Sequence, residues 1–226
     1  MKLSIIMPIF NEKKTIKDIL KKIESVKIKN IKKEIIIVND CSTDGTGKIL
    51  KDLKKYKILS NSKNEGKGYS IKKGIKNATG DIFLIQDGDL EYNPEEYPEL
   101  IKPILEKKTK VVYGSRLKKK NKKGKFLFYL GGIVVTKITN ILYNSKLTDE
   151  PTCYKVFHKE LKDILVHAEA NNFDWEPEVT AKILMKKYKI YEVPISYNPR
   201  QKDEGKKINF KDGLSAILTL IKWKFK

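Results

Sequence analysis

The chain has 226 residues, 40% of them hydrophobic, which suffices for one large domain or two small ones with a sizeable core. Its 48 Lys and Arg residues against 28 Asp and Glu residues give a net charge of +20, which predicts an anionic partner: phosphorylated substrate, acidic lipid surface or nucleic acid. Two cysteines and two histidines without a metal-binding spacing argue against a disulfide framework and a thiolate metal site, and they fit a reducing cytoplasm.

The first half alternates short β-rich runs with amphipathic stretches, the pattern of a parallel sheet flanked by helices. The apolar run after Met1 ends at Pro8, which is too short for a signal peptide and predicts the first strand. The predicted strands are 3–8, 34–39, 56–60, 81–86 and 110–115. Apolar residues recur with the helical period between them, at Ile16, Ile19, Leu20 and Ile23, at Ile49, Leu50 and Leu53, and at Ile71 and Ile75. We therefore predict an open α/β sheet.

Polar loops that contain glycine or charged residues follow every predicted strand. They are 8–12, 39–46, 64–68, 86–91 and 114–116. Ligands of open α/β sheets bind beyond the carboxyl ends of the strands, so these loops are expected to meet. Five such loops at one edge favour a composite site over five solvated turns.

One of these loops, QDGDLE at 86–91, places the carboxylates of Asp87, Asp89 and Glu91 close together. They repel one another unless a cation lies among them or the turn is fully solvated, and Asp-Gly is also a common turn dipeptide. With the other loops beside it, the segment predicts a divalent metal. Oxygen ligands favour Mg²⁺ or Mn²⁺, which commonly bind substrate phosphates, so a diphosphate is expected.

Two other phosphate-binding motifs are excluded. Ile49 stands where a P-loop requires Ser or Thr. The segment GKGYSIKKG lacks the spacing of a dinucleotide-binding fingerprint.

Seven segments in order resemble family 2 inverting glycosyltransferases of the GT-A type, and most closely the dolichyl- or polyprenyl-phosphate sugar synthases, such as dolichol-phosphate mannosyltransferases. The resemblance covers nearly the whole chain, and it implies an open, mostly parallel α/β sheet with a C-terminal amphipathic helix. The segments are SIIMPIFNE, IIIVNDCSTDGT, NEGKGYSIKKGIKNATGDIFLIQDGDLEYNPEE, VVYGSR, LTDEPTCYKVF, FDWEPEV and YEVPISYNPRQKDEGKKI.

The resemblance implies a nucleotide-sugar site in the first half. Asp87, Gly88 and Asp89 match the DxD motif, with Asp89 as the principal metal ligand and Asp87 bridging nucleotide and metal. Glu91 stands where relatives often carry Gln, as a further metal ligand. The residues matched to donor binding are Pro8, Phe10, Glu12, Val38, Asp40, Lys67, Asp87, Gly88, Asp89 and Arg200, with Asp40 reading the base.

The same resemblance places acceptor contacts later in the chain. Arg116 resembles an arginine that meets the acceptor phosphate, while Lys137 and Asn140 stand where relatives carry Arg and Asn. Lysine keeps the charge but loses the bidentate fork of arginine. A mobile basic loop that closes over the diphosphate is matched by Arg200, Lys206 and Lys207. The predicted catalytic residues are Asp89, Arg116, Lys137 and Arg200.

The chemistry of a lipid-phosphate acceptor agrees with this set of residues. A monophosphate has a second pKa near ~6 and is largely charged at neutral pH, so a general base is dispensable. The site must neutralise the leaving nucleoside diphosphate and align the attacking oxygen. One displacement then inverts the anomeric carbon.

Two segments predict contact with a membrane surface. Residues 125–144 are apolar and aromatic and follow a lysine cluster, and residues 210–226 alternate apolar residues with lysines. Both apolar stretches are too broken or too short for the roughly 20 residues of a transmembrane helix. A core helix after a solvated basic loop remains an alternative for 125–144.

We therefore expect a peripheral enzyme on the cytoplasmic face of an anionic membrane, with a membrane-protein partner possible. The predicted domains are a catalytic domain at 1–207, divided into a nucleotide-sugar half (1–116) and an acceptor-side half (117–207), and a membrane-surface helix at 208–226.

Three functions compete. The first is transfer from a GDP- or UDP-sugar, GDP-mannose before UDP-glucose or UDP-N-acetylglucosamine, to dolichyl or polyprenyl phosphate. The second is a family 2 enzyme that acts on a saccharide or protein and uses Asp149 or Glu178, which resemble acids of the sugar side, as base. The third, a basic nucleic-acid-binding domain, explains the charge but not the acidic loops, so no nucleic-acid partner is predicted.

Overall fold

The computed structural model describes residues 1–122, 126–200 and 209–226, and these form one seven-stranded sheet covered by helices. The strands are β1 (Lys2–Ile9), β2 (Lys32–Asn39), β3 (Lys57–Ser60), β4 (Ile82–Ile85), β5 (Val111–Ser115), β6 (Lys155–His158) and β7 (Ile190–Pro194). The helices of the described ranges are α1 (Ile16–Ser25), α2 (Thr46–Lys51), α3 (Lys67–Lys76), α4 (Tyr97–Leu105), α5 (Phe126–Tyr143), α6 (Lys162–Val166), α7 (Trp175–Met185) and α8 (Phe210–Phe225).

The sheet order is β3-β2-β1-β4-β6-β5-β7. Strands β1 to β4 pair in parallel, β6 lies antiparallel between β4 and β5, and β7 pairs in parallel with β5. Every residue of β4 is buried, as the continuous apolar runs predict for strands covered on both faces. The mostly parallel α/β fold is confirmed, and the five predicted strands end within two residues of the observed bounds. Strands β6 and β7 were not predicted.

The proposed halves of the catalytic domain share this sheet. Strand β5 belongs to 1–116, but both of its neighbours, β6 and β7, come from 117–207. The C-terminal helix α8 is present, and it docks on α5 and α7 through a small apolar cluster of Val135, Ala181 and Leu220. The division into halves and a separate membrane helix stays a prediction.

Helix α5 is partly a core helix and partly an exposed one. Val135 is buried against α8, whereas Leu127 and Ile141 are 68% and 80% exposed. Helix α8 is similar, since Leu220 is buried while Phe210 and Phe225 are largely exposed. Within the described ranges, no helix is long and apolar enough to cross a membrane.

Candidate functional site

A cavity of about 1000 Å³ lies beyond the carboxyl ends of the parallel strands. Each of the five polar loops that follow β1 to β5 contributes to its wall, through Glu12, Asp40, Asn64, Asp87 and Arg116 respectively. Strands that run in parallel end at the same edge of a sheet, so loops far apart in sequence meet in one site.

The acidic turn after β4 is fixed by its neighbours. The amide of Gln86 is buried: its Oε1 accepts hydrogen bonds from two tyrosines, and its Nε2 donates to the carbonyl of Asp87 at 2.9 Å. A Cβ on Gly88 would lie 2.4 Å from Ile9 Cδ1, so a larger residue there would require the Ile9 side chain to shift. The Thr15 hydroxyl donates to the Gly88 carbonyl at 2.9 Å. The turn is therefore held in a single position rather than solvated.

Asp89 lies in a cluster of charges with Glu12 and Arg200. Arg200 donates to Asp89 Oδ2 at 2.9 Å and to both oxygens of Glu12 at 3.1 Å. Burial raises the pKa of Asp89 to about 7, and the negative charges of Asp87 and Glu91 act in the same direction, while Arg200 opposes them. The cluster holds more negative charge than its one arginine neutralises.

Asp87 has a different cation beside it. Lys67 Nζ lies 3.0 Å from Asp87 Oδ1 and 3.2 Å from Oδ2, and it also lies 3.0 Å from Glu176 Oε1. These two carboxylates raise the pKa of Lys67 against the opposing effect of its burial. Lys67 and Asp87 both line the cavity, as the donor-binding prediction requires.

Glu91 is engaged with the segment that carries Arg200. Its Oε1 accepts from the Arg200 backbone N–H at 2.7 Å, and its Oε2 accepts from the Tyr197 hydroxyl at 3.1 Å. In the part of the chain that the structure describes, no three acidic, histidine or cysteine side chains converge as a metal-binding group. Metal ligation by Asp87, Asp89 and Glu91 together therefore stays a prediction. Both oxygens of Glu91 already accept hydrogen bonds from the segment that carries Arg200.

Asp40 shapes the loop before α3. Its Oδ1 accepts from the Asn61 side chain at 2.7 Å and from the Glu65 backbone at 2.8 Å, and its Oδ2 accepts from the Gly66 backbone at 2.9 Å. Gly66 has φ of 97°, and a Cβ at this position would lie 2.4 Å from Asn171 O, so a side chain would collide there. Asp40 lines the cavity, but a role in reading the base would be added to this structural one.

Arg116 forms a two-point ion pair with Asp149. Its Nε lies 2.8 Å from Asp149 Oδ2, and one terminal nitrogen lies 2.7 Å from Oδ1. The loop that carries Asp149 is held in turn by Glu192 of β7, whose Oε1 accepts from the backbone of Thr148 and Asp149. Arg116 and Asp149 line the cavity at its junction with α5 and α8.

Some predicted residues lie away from the cavity. Val38 is fully buried in β2, and Lys137 is exposed on α5, both outside the cavity wall. Asn140 accepts from the backbone of Leu147 and donates to its carbonyl, so it shapes the loop after α5. Lys206 and Lys207 lie outside the described residues. The remaining predicted donor residues, Pro8, Phe10, Glu12 and Gly88, are part of the wall.

Glu178 is also outside the wall. Its two oxygens accept backbone hydrogen bonds at 2.7 Å from Glu169 and Ala170, and Lys182 pairs with it at 2.6 Å. Glu176, which sequence reasoning did not single out, lines the cavity instead. Two acids two positions apart on a helix point in different directions, but their spacing alone does not say which one faces the site.

The sheet order, the acidic turn after β4 and the cavity beyond the strand ends define a nucleotide-sugar-binding fold of the GT-A class. The chain belongs to glycosyl transferase family 2, whose sequence profile matches residues 4–165.

Two curated relatives act on dolichyl phosphate by name. A dolichol-phosphate mannosyltransferase of Pyrococcus furiosus is 30% identical over an alignment of 236 residues. The alignment covers 99% of this chain and 64% of that protein. A UDP-N-acetylglucosamine–dolichyl-phosphate N-acetylglucosaminyltransferase of Methanococcus voltae is 30% identical over 84% of this chain and 83% of its own length. The chain thus spans less than two thirds of the Pyrococcus protein.

A solved structure has the same fold. The glucosyl-3-phosphoglycerate synthase of Mycobacterium tuberculosis, crystallised with phosphoglyceric acid, superposes with a TM-score of 0.76 at 18% identity, covering 99% of this chain and 80% of that one. Similarity at this level of identity concerns the fold.

Proposed function

We propose that this protein transfers a sugar from a nucleotide sugar to dolichyl or another polyprenyl phosphate at a membrane surface. The family and the relatives support the reaction class, and the two relatives named for dolichyl-phosphate chemistry support the acceptor. Mannose from GDP-mannose is the first candidate for the donor sugar. Glucose and N-acetylglucosamine from their UDP-sugars are the next.

The continuity of the cavity carries this proposal. The same cavity is lined by Asp87 and Asp89, by Arg116, and by an apolar section that two helices contribute. That section is lined by Leu127, Ile133 and Val134 of α5 and by Leu214 and Ile217 of α8. Asp87 and Asp89 suit a nucleoside diphosphate with its metal. The arginine and the apolar section suit an acceptor that has a phosphate head and a hydrocarbon tail.

The contacts of Asp149 and Glu178 favour a phosphate nucleophile over a hydroxyl nucleophile. A hydroxyl acceptor needs a general base, and Asp149 and Glu178 were the candidates. Asp149 is held in the ion pair with Arg116, and Glu178 accepts two backbone hydrogen bonds and pairs with Lys182. An acceptor phosphate that is already ionised attacks without such a base.

Mg²⁺ or Mn²⁺ fits the oxygen donors of this site. Asp87 and Asp89 supply hard oxygen ligands, and burial, together with the negative charges of Asp87 and Glu91, raises the pKa of Asp89, so a bound cation would stabilise its carboxylate. The metal, when bound, would supply charge to the leaving diphosphate. Because Arg200 holds Asp89, its release on metal binding would leave a cation beside the diphosphate. Arg116 would orient the acceptor phosphate.

The exposed faces of α5 and α8 support attachment to a membrane. Their exposed apolar residues are Leu127, Leu130, Val134 and Ile141 on α5 and Phe210, Leu214, Leu218, Ile221 and Phe225 on α8. Lysines flank both helices, and each lysine near an anionic leaflet contributes on the order of 1 kcal/mol. We place the enzyme on the cytoplasmic face, where nucleotide sugars and anionic lipids meet, with a membrane-protein partner as a further possibility.

The test is direct. Purified protein, Mg²⁺ or Mn²⁺ and dolichyl phosphate are incubated with radiolabelled GDP-mannose, UDP-glucose or UDP-N-acetylglucosamine in separate reactions, and the label extracted into organic solvent is counted. Dolichol without phosphate is the matched acceptor control. Label that appears with one donor and depends on the phosphate identifies sugar and acceptor together. Metal-dependent donor binding without any extractable label would refute the lipid acceptor.

A further inference from the structure

We propose that Glu176 and Lys67 form the subsite for the transferred sugar and restrict it to uncharged hexoses, so that hexuronic acids are rejected. The inference rests on the proposed function, because it takes the cavity to hold a nucleotide sugar. It assigns the specificity to a residue pair that lies beside the acidic turn.

Close packing of two helix N-termini creates the pair. Lys67 is the first residue of α3, and Glu176 lies in the first turn of α7. A Cβ on Gly68 would lie 2.5 Å from Trp175 Cβ, so glycine at this position allows the two helices to meet. The Tyr69 backbone N–H donates to Asn171 O at 2.9 Å and closes the contact. Lys67 and Glu176 therefore reach the same part of the cavity from different elements.

The pair is desolvated and rigidly placed. The side chains of Lys67 and Glu176 are 15% and 10% exposed, and their charged atoms lie 3.0 Å apart. Lys67 also contacts both oxygens of Asp87, so the two carboxylates share one cation. A carboxylate that shares its cation keeps lone pairs for further donors. Sugar hydroxyls are donors of this kind.

The position agrees with a sugar beside a diphosphate. Asp89 and Arg200 form the neighbouring charge cluster, where the diphosphate is proposed to bind. Asp87 is two residues away in the same turn and connects that cluster to Lys67 and Glu176. The ring of Phe173 also lines the cavity, with its centroid 5.5 Å from Lys67 Nζ, and offers an apolar face to the C–H side of a sugar ring.

The charge of this region excludes a further anion. Glu150 lines the same cavity, is fully buried and, among the described residues, has one oxygen without a hydrogen-bond partner. Three carboxylates, Asp87, Glu150 and Glu176, thus stand against two buried lysines, Lys67 and Lys155. A hexuronate would bring a further carboxylate beside those of Asp87 and Glu176, whereas a hexose or an N-acetylhexosamine brings none.

The experiment compares donors that differ only at C6. Binding of UDP, UDP-glucose and UDP-glucuronate, and of GDP, GDP-mannose and GDP-mannuronate, is measured by calorimetry with Mn²⁺ for the wild type, Glu176→Gln and Glu176→Ala. The exposed Glu99→Gln serves as the matched control. We expect the wild type to prefer the hexose of the better-bound pair by at least about 10-fold over the uronate, and Glu176→Gln to reduce that preference several-fold. Glu176→Ala should weaken hexose binding about 10-fold and leave nucleoside diphosphate binding within 2-fold, as for the loss of one or two hydrogen bonds.

Two results would overturn the assignment. Equal loss of nucleoside diphosphate and nucleotide-sugar affinity in Glu176→Ala would mean that Glu176 acts only by holding Lys67. A wild-type protein that binds uronate and hexose equally well would remove the charge argument. Either result leaves the proposed function intact if the wild type still glycosylates dolichyl phosphate, while absence of nucleotide binding would overturn both.

Discussion

The guanidinium of Arg200 bridges Glu12 and Asp89, the carboxylates that face each other across the cavity between the loops after β1 and β4. An arginine at this position neutralises the acids that a divalent metal would otherwise neutralise. If Asp89 binds the proposed metal, arginine and metal would compete for its carboxylate, and Arg200 would have to move when the metal and the diphosphate bind.

This competition predicts that removing the Arg200 side chain affects metal affinity and turnover in opposite directions. Arg200→Ala should tighten Mn²⁺ binding to the nucleotide-free protein several-fold, because Asp89 loses its cation. The same change should lower turnover by about 10- to 100-fold, since the leaving diphosphate loses a positive charge. Electron paramagnetic resonance of free Mn²⁺ reports the first effect, and the organic-extraction assay reports the second.

The conservative variant separates charge from position. Arg200→Lys keeps the charge without the fork and is expected to fall between wild type and Arg200→Ala in both measurements. Weaker Mn²⁺ binding in Arg200→Ala than in wild type would refute the competition.

Loss of either DxD carboxylate should abolish most of the reaction. We expect Asp89→Asn and Asp87→Asn to lower kcat/KM by at least about 100-fold, because each removes a charged ligand from the metal and diphosphate site. Asp81→Asn, which alters a half-buried carboxylate outside the cavity wall that pairs with Lys159, is the matched control and should retain activity. Near-wild-type turnover of Asp89→Asn would exclude Asp89 as the principal metal ligand.

The raised pKa of Asp89 makes a prediction about stability without metal. Because burial raises the pKa of Asp89 to about 7, we expect the folded protein to hold this proton at a higher pH than the unfolded chain, where the pKa has its ordinary value of 3.8. Between these pH values the folded state binds more protons than the unfolded state, so its stability falls as the pH rises. Asparagine has no proton to lose, and Asp89→Asn should therefore raise the Tm of the metal-free protein at pH 8 by a few degrees.

The difference in Tm between Asp89→Asn and the wild type should shrink toward pH 4, where the Asp89 carboxyl of the folded wild type is neutral, as asparagine is. Thermal unfolding followed by circular dichroism between pH 5 and pH 8 measures it, and added Mg²⁺ should raise the Tm of the wild type more than that of the variant. A lower Tm for Asp89→Asn at pH 8 would show that the ion pair with Arg200 outweighs the cost of burying the charge.

The exposed face of α8 predicts a loss of membrane binding. Replacing both Leu214 and Leu218 with serine should reduce flotation with anionic liposomes at least several-fold, because each exposed leucine buries apolar area in the interface. Leu105→Ser, an exposed leucine on α4, is the matched control and should float normally. Equal flotation of both variants would place the membrane contact elsewhere.

Transfer to dolichyl phosphate in detergent should separate this effect from catalysis. The α8 variant is expected to keep donor binding, since Leu214 lines only the apolar section of the cavity and Leu218 is exposed. Loss of donor binding would indicate instead that the changes disturbed the fold.

The sequence predicts the first half of the fold well because its strands are rich in Ile and Val and are ended by polar loops. Strand β4 buries every residue, β1 buries most of its residues, and β2 buries Ile36, Ile37 and Val38, so their composition is distinctive. Strand β6, KVFH, has four residues and pairs antiparallel with β4 and β5, which no local pattern signals. Its insertion brings Asp149 to Arg116, a pair separated by 33 positions.

The site shows the same division. Asp87 and Asp89 follow a recognisable strand, and the rule for open sheets locates them at the cavity. The direction of a side chain on α5 or α7 depends on tertiary packing. Sequence spacing alone therefore could not predict that Lys137 lies on an exposed face or that Glu176 lies in the cavity wall. The structural tasks of Asp40 and Glu91 were hidden for the same reason, since their partners lie in other loops.

The interleaved sheet order has a consequence for synthesis on the ribosome. When residue 116 has emerged, β4 and β5 are both complete, yet the strand that joins them, β6, begins at Lys155. Until then one edge of β4 and both edges of β5 lack their partners in the nascent chain, and unpaired edges invite pairing with other chains. The sheet can therefore close only after β6 has been synthesised. A truncated chain that stops before β6 should aggregate rather than fold into a smaller nucleotide-binding domain.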